Sequence, residues 1–386
     1  MARGPVAQAN PLAVNAQARN LLLNNSVERI SPIFDQNIAP ATQSVINIAP
    51  RNAGLLRGFI VRVSATLNNG GAGTATRTQI GGANIVSNLI FTDLQNNNRV
   101  QAPGWYLTHL AALKQGYAYG GAYAPNVSGN YGNVYTVQSA PATIATTADG
   151  SVVQHYWVPV SYGAEDLRGA IYMGVVQATA NLQVTLNTTL SATSGDTTLM
   201  LYSGANSGVV YKSGTTVRVQ VWQVYYDQIP TDNNGSVILP MWDLSHIYDI
   251  RNTTLTGMAA GADFPIEYAN LRAFLSTTLV YNNGGTLNAG TDINYFSLQS
   301  ANVTELYRYD PTLAALFMRS EIMSDAPQGF YSFSHRRRPI ETVQYGNMQL
   351  IVNPSSVSAG AQFWLGYESF ILRNQVTLAG SVPGGG

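Results

Sequence analysis

The sequence predicts an all-β protein of sandwich or jelly-roll character in which one plan is used twice. Three observations point there. Short runs with apolar residues at every second position alternate with turns rich in Gly, Asn, Ser and Thr. Beyond an N-terminal helix, each half of the chain interrupts its strands with a single helical segment. The turn Leu67-Asn-Asn-Gly-Gly71 returns as Tyr281-Asn-Asn-Gly-Gly285, and Asn and Gly accept the positive φ angles that tight hairpins demand.

In chain order, the first element is a helix. Asn10 can cap it, Pro11 suits its first turn, and Val14, Ala18, Leu21 and Leu22 are read as one face. Residues 1–60 carry five Arg against Glu28 and Asp35, so this arm is mildly basic, and after Ser26 it reads as an extended strap. From Phe59 the period becomes two: Phe59, Val61, Val63, Ala65 and Leu67 alternate with Arg62, Ser64 and Thr66. Further strands are expected at Val152–Val160, Leu182–Leu186, Leu199–Tyr202 and Val217–Val221. A helix over Trp105–Gln115 stops at Gly116.

The stretch 228–236, Gln-Ile-Pro-Thr-Asp-Asn-Asn-Gly-Ser, breaks the pattern and sets a domain boundary. Strands resume at Val237–Leu239, Phe274–Tyr281, Ile293–Leu298, Leu350–Val352 and Phe363–Leu372. Among them lies a helix capped by Asp310, opened by Pro311 and closed before Pro327. The expected divisions are a helix and arm over 1–55, a first β unit over 56–230, a second over 231–376, and a flexible tail over 377–386.

Five landmarks keep their order in both halves. Leu56-Arg57-Gly58-Phe59 answers Leu271-Arg272-Ala273-Phe274, and the two Asn-Asn-Gly-Gly turns follow. Ala83-Asn84-Ile85 answers Ala301-Asn302-Val303, helical Leu110-Ala-Ala-Leu113 answers Leu313-Ala-Ala-Leu316, and Gln115-Gly116 answers Gln328-Gly329. Each match is weak in so skewed a composition, but the shared order reads as an internal duplication. Three copies of such a chain place six similar modules around a threefold axis, an approximate hexagon that tiles a surface.

Composition fits a protein surrounded by neighbours. Charged residues make up 10% of the chain and the formal net charge is zero, against about 25% charged in soluble domains. Nothing here favours nucleic acid, and a weakly charged surface favours association. The basic set is 18 Arg with only Lys114 and Lys212, beside 22 Tyr, the preference of buried interfaces. The absence of Cys excludes disulfides, thiolate metal sites and Cys nucleophiles. No Lys/Arg-led apolar segment opens the chain and no apolar run approaches about 18 residues, so neither a signal peptide nor a membrane span is expected.

The search for chemistry finds little. His109, His155, His246 and His335 show no zinc-binding spacing, and Asp232-Asn-Asn-Gly235 lacks the ligand pattern of a calcium loop. Gly71-Ala-Gly-Thr74 lacks the Lys of a phosphate loop, and no G-x-S-x-G occurs. Glu165-Asp166 and the pair Asp243/Asp249 are the carboxylates an acid–base reading would use, but neighbouring acids more often cap or face solvent. No catalysis, cofactor or metal is expected. His335-Arg-Arg-Arg338 is the one basic run. It is either a solvated edge or a set of carboxylate partners across a subunit boundary, which makes Arg336, Arg337 and Arg338 the candidate inter-subunit contacts.

The stretch Tyr268-Ala-Asn-Leu-Arg-Ala-Phe-Leu-Ser-Thr-Thr278, the turn after it and Asn288-Ala-Gly-Thr-Asp-Ile-Asn-Tyr295 resemble the major capsid protein of tectiviruses. These are tailless phages with a lipid membrane inside an icosahedral shell. Similar too are Asp227-Gln-Ile-Pro230, Ile238-Leu-Pro240 with Asp243-Leu-Ser245, and Gln344-Tyr-Gly-Asn347 with Val352-Asn-Pro354. The first half adds Gly104-Trp105, Lys114-Gln-Gly116, Ala140-Pro-Ala-Thr-Ile144 and Tyr156-Trp-Val-Pro159. The likeness covers nearly the whole chain except the loops near 120–135 and 190–215.

The resemblance implies two tandem eight-stranded jelly rolls, a double jelly roll, each with a short helix insertion, plus the N-terminal helix. It implies homotrimeric, pseudo-hexagonal capsomers, distantly like the adenovirus hexon, in a virion shell assembled in the bacterial host cytoplasm around an internal membrane. Partners by resemblance are further copies of the chain, penton and minor membrane-linked proteins, and viral membrane lipid at the N-terminal arm, with no direct nucleic acid. Arg3 and Arg19 would suit anionic lipid at the inner face, unless the helix simply packs under its own roll. The alternative is a carbohydrate-binding, lectin-like tandem jelly roll. Trp105, Trp157, Trp222 and Trp364 fall within predicted elements, which favours core positions over a sugar platform.

Overall fold

A computed structural model gives the fold and describes residues 10–115, 138–174, 179–192, 196–287, 291–300, 305–322, 329–337 and 339–371. Helix α1 (Pro11–Asn25) opens it, with Asn10 Oδ1 accepting from the Leu12 amide at 3.0 Å. Five strands follow: β1 (Val27–Ile38), β2 (Val45–Ile48), β3 (Leu55–Asn69), β4 (Val86–Thr92) and β5 (Asn98–Ala102). Helix α2 (Gly104–Gln115) then precedes β6 (Asp149–Pro159), β7 (Asn181–Leu186) and β8 (Val217–Asp227).

The second half repeats this series. A short helix α3 (Met241–Ser245) leads into β9 (Ile247–Leu255), β10 (Phe264–Glu267), β11 (Arg272–Asn282), β12 (Ile293–Ser300) and β13 (Tyr307–Tyr309). Helix α4 (Pro311–Ile322), capped by Asp310 Oδ1 on the Leu313 amide at 2.7 Å, precedes β14 (Phe330–Ser334), β15 (Met348–Pro354) and β16 (Gln362–Ile371). Shorter strands decorate the loops.

Pairing shows the duplication directly. The first half forms the antiparallel sheets β1-β8-β3-β6 and β2-β7-β4-β5. The second forms β9-β16-β11-β14 and β10-β15-β12-β13. Adding eight to each strand number converts one order into the other, and both helix insertions fall between the fifth and sixth strands of their half. Each half is an eight-stranded jelly roll. The rolls join where β5 runs parallel to β9 through Val100↔Ile250 and Gln101↔Arg251.

The main core fills the first roll and continues through α2 onto one face of the β9-β16-β11-β14 sheet, reaching Val280, Phe330, Trp364 and Phe370. A second core lies between the two sheets of the second roll, around Phe274, Phe296 and Phe363. The equivalent strands β3 and β11 differ accordingly. β3 alternates between buried and partly exposed residues from Phe59 onward, whereas β11 is buried at every position after Arg272. A sheet covered on both faces loses its period of two.

Several expectations need correction. Residues 27–38 form an edge strand paired with β8, and their irregular, mostly exposed pattern hid it. Leu199–Leu201 lie in a turn before a two-residue strand, Tyr202–Ser203, and Val237 makes only an isolated bridge to Thr231. On α1 the inward side holds Asn15 and Leu22, while Val14 and Leu21 are exposed. The two Asn-Asn-Gly-Gly turns also differ. Gly284 and Gly285 take φ of 66° and 97°, but Gly71 is required by close approach, since a Cβ there would sit 2.3 Å from the Asn206 carbonyl oxygen. The landmarks at 301–303 and 328, the stop at Gly116, and the tail lie outside the described residues.

Candidate assembly surfaces and the joint between the rolls

The best-built surface in the chain is the one on which α2 lies. Its Trp105 ring meets Phe330 edge-on at 5.7 Å and Trp364 at 5.6 Å. Tyr106 packs over Gly366, where a Cβ would come within 2.3 Å of the ring. One turn on, His109 Nε2 shares a hydrogen bond of 2.7 Å with Ser332 Oγ. Burial, helped by the nearby Arg336 charge, drops His109 to about 3, so it is neutral at ordinary pH.

Beyond His109 the joint holds a buried charge cluster. Glu368 Oε2 accepts from Arg336 Nη2 at 2.9 Å and Nε at 3.2 Å, and from Ser276 Oγ at 3.0 Å. Its Oε1 accepts from the Tyr248 hydroxyl and lies 3.1 Å from Lys114 Nζ. Arg336 Nη1 also donates to the Leu113 carbonyl at the end of α2, at 2.8 Å. Burial alone would raise the Glu368 carboxyl, but the Arg336 and Lys114 charges overcome it and hold it at about 2. Lys114 moves down because its own burial outweighs Glu368. Arg336 moves up despite burial, so Arg336 is the partner that supports the carboxylate.

Two further ion pairs repeat with the fold. Arg57 on β3 bonds Glu28 on β1, and Arg272 on β11 bonds Asp249 on β9. These are the Arg residues of the repeated Leu-Arg-Gly/Ala-Phe landmark, so that landmark marks the same cross-sheet bridge in each roll. Asp249 also accepts from Arg251 at 2.9 Å. Helix α1 is fixed to the second half by Asn15 Nδ2 on Asp243 Oδ1 at 3.0 Å and by Arg19, 3.4 Å from Asp243 Oδ2.

Most of the candidate residues therefore have internal duties. Arg19 is held by Asp243. Arg336 lies inside the joint and is not positioned for a neighbouring subunit. Its expected exposure fails because the segment after β14 turns inward toward β16. Arg337 is exposed, and Arg3 and Arg338 lie outside the described residues. Asp243 and Asp249 are fully buried ion-pair acceptors, and Asp166 binds Arg168 at 2.6 Å. Asp232 closes a turn, its Oδ1 accepting from the Asn234 and Ser236 amides at 2.8 and 2.9 Å. His246 bonds the Trp242 carbonyl at 2.9 Å, and burial lowers His335 to about 4. Among the described residues no group of three His, Cys, Asp or Glu is arranged to hold a metal.

Trp105 and Trp364 are sealed in the joint, 3% and 2% exposed, so they offer no stacking platform to a sugar. What sequence reasoning missed is the outward apolar side of α4, Leu313, Leu316 and Phe317. The signal was present in the shared Leu-Ala-Ala-Leu motif, which is buried in α2 and half exposed in α4.

Two jelly rolls of one strand order, fused through a buried joint, define a double jelly-roll protein. The N-terminal model of the P3 major capsid protein matches residues 3–229, and its C-terminal counterpart matches residues 245–384. The chain is 37% identical over 375 residues to the major capsid protein P3 of Enterobacteria phage PRD1, covering 96% of this chain and 94% of the relative. It belongs to the P3 major capsid protein family. It is a major capsid protein of the PRD1-like phages, a structural component of the virion capsid and not an enzyme.

Solved structures agree on the fold alone. The STIV MCP superposes with a TM-score of 0.64 at 11% identity over 92% of this chain and 99% of that one. PBCV-1 VP54, in its fit to the virophage Sputnik, gives 0.57 at 10% identity over 90% and 94%.

Proposed function

We propose that this chain forms pseudo-hexagonal homotrimeric capsomers that tile an icosahedral shell around an internal lipid membrane. The observation that carries the reading is the shared strand order of the two rolls, because three copies then present six like modules to their neighbours. The proposed units are a helical arm over 1–26, a first roll that starts at β1 rather than at 56 and runs to 230, because β1 and β2 pair within its two sheets, a second roll over 231–376, and the tail over 377–386. Assembly in the bacterial cytoplasm with penton and minor membrane-linked proteins completes the proposal.

The arm is assigned to the inner face. Val14 and Leu21 are exposed on one side of α1, opposite Leu12; they offer apolar surface to membrane or to a minor protein, and Arg3 adds charge suited to anionic lipid. Arg19 contributes less to lipid than its sequence position implies, since Asp243 already engages it.

Light scattering during size-exclusion chromatography tests the oligomer. A stable trimer at all accessible concentrations is expected, and a monomer whose Trp fluorescence responds to sugars would favour the lectin reading. Deleting residues 1–24 is expected to leave trimers intact and to impair shell formation or binding to anionic vesicles. A truncated chain that fails to trimerise would place the arm elsewhere.

A further inference from the structure

We propose that Asn234, in the turn that joins the two rolls, is a self-modification site: the Gly235 amide nitrogen closes on its side chain, and the pair ages to aspartate and isoaspartate. The chain holds three Asn-Gly pairs, Asn69-Gly70, Asn234-Gly235 and Asn283-Gly284, each within the same tripeptide Asn-Asn-Gly. Glycine suits the reaction because it has no Cβ to shield its nitrogen. As text the three pairs are equal, and the fold separates them.

Two of the pairs are locked. Asn69 is fully buried; its Nδ2 donates to the Gly73 and Ile144 carbonyls at 2.8 and 3.0 Å, and its Oδ1 accepts from the Gly208 amide at 3.0 Å. Asn283 is also buried. Its Nδ2 donates to Asp292 Oδ2 at 2.8 Å and Ser356 Oγ at 3.2 Å, and its Oδ1 accepts from the Ser358 amide at 2.6 Å. At Gly284 a Cβ would sit 2.8 Å from the Ala359 carbonyl oxygen, so the backbone there has little room to turn. Asn234 differs on each count. Residues 231–237 are all exposed, and among the described residues no hydrogen bond holds the Asn234 side chain. Nothing lies within 4 Å of a Cβ built on Gly235. The Asn234 and Gly235 amides donate to Asp232 Oδ1 at 2.8 Å and to the Asp232 carbonyl at 3.0 Å, at a surface where water can take over both contacts.

In the first step the Gly235 nitrogen bonds to Asn234 Cγ, the Cγ–Nδ2 bond breaks, and ammonia leaves with the amide proton. Solvent water then opens the succinimide ring at either carbonyl. Attack at Cγ restores the normal chain with aspartate; attack at the backbone carbonyl leaves isoaspartate, whose chain runs through Cγ. Either product adds a negative charge to a chain whose formal net charge is zero. Isoaspartate also lengthens the backbone of the hairpin that the Thr231↔Val237 bridge closes.

The full chain, kept warm at mildly alkaline pH, is followed by peptide-resolved mass spectrometry, with isoaspartyl methyltransferase labelling the isoaspartate product. Conversion at Asn234 should outpace that at Asn69 and Asn283 by roughly 100-fold or more, since each of those must first release three hydrogen bonds. In urea the three rates should converge. Asn234→Gln should abolish the charge change seen by isoelectric focusing, and Gly235→Ala should slow it. An Asn234 no faster than Asn69 or Asn283 in the folded chain would overturn the proposal, as would a charge change that persists in Asn234→Gln. Conversion that Gly235→Ala leaves unchanged would put direct hydrolysis in place of ring closure and overturn it too. None of these outcomes depends on the trimer.

Discussion

Replacing Glu368 with Gln keeps the side chain's volume and removes the anion that Arg336 and Lys114 share. The carboxylate is fully buried, and the two cations are 13% and 16% exposed. Its pKa falls from 4.5 to about 2 in the folded chain, which at ~1.4 kcal/mol per unit corresponds to about 3 kcal/mol of stability. A folded pKa below the unfolded one means this contribution is complete above about pH 4.5 and is lost as pH falls toward 2. The variant also strands two buried cations, and removing one partner of a buried pair costs about 3–5 kcal/mol. Urea unfolding at pH 7, at one fixed protein concentration because association adds its own mass-action contribution, should show a loss of at least about 3 kcal/mol. The gap between variant and parent should narrow between pH 4.5 and 2. A penalty under about 1 kcal/mol, or one independent of pH across that window, would show that the cluster is hydrated and refute the reasoning.

The other predictions use the same logic. Asp249→Asn strands Arg251 and Arg272 and should cost about 3 kcal/mol, and Glu28→Gln, which removes a half-exposed acceptor from the buried Arg57, should cost about 1–3 kcal/mol in the same denaturation assay. Gly366→Ala should destabilise by about 1–3 kcal/mol by pushing the Tyr106 ring away, read as a shift in the fluorescence of Trp105 and Trp364. His109, at about 3 when folded against 6.5, binds its proton more readily unfolded. Its neutral burial should therefore lose about 2 kcal/mol by pH 5, a pH dependence that His109→Gln should abolish. Asn10→Ala should loosen α1 by about 1 kcal/mol, seen as faster amide exchange over residues 12–14 with the oligomeric state unchanged.

The parts of the fold that were legible are those whose signals are local. Caps at Asn10 and Asp310 and the alternation of β3 and β6 depend on neighbours in sequence, and each appears where expected. β1 was not legible because an edge strand with few buried positions carries no periodic trace. Nor could the inward turn of Arg336 be read, because its partner Glu368 is 32 residues away and its second partner, the Leu113 carbonyl, is 223 residues away. A run of three Arg looks the same on paper whether it faces water or a buried acid.

The duplicated helix motif shows where the hidden information lies. Leu110-Ala-Ala-Leu113 and Leu313-Ala-Ala-Leu316 are the same text in the same slot of the same topology, so they should have the same burial. They do not: Leu110 and Leu113 are 1% and 3% exposed, Leu313 and Leu316 are 36% and 59%. The difference cannot come from propensity or pattern, which are shared. It comes from what lies outside each helix, a second roll for α2 and solvent for α4. In a chain built by repetition, burial at equivalent positions is set by what each copy packs against, which the repeated text cannot carry.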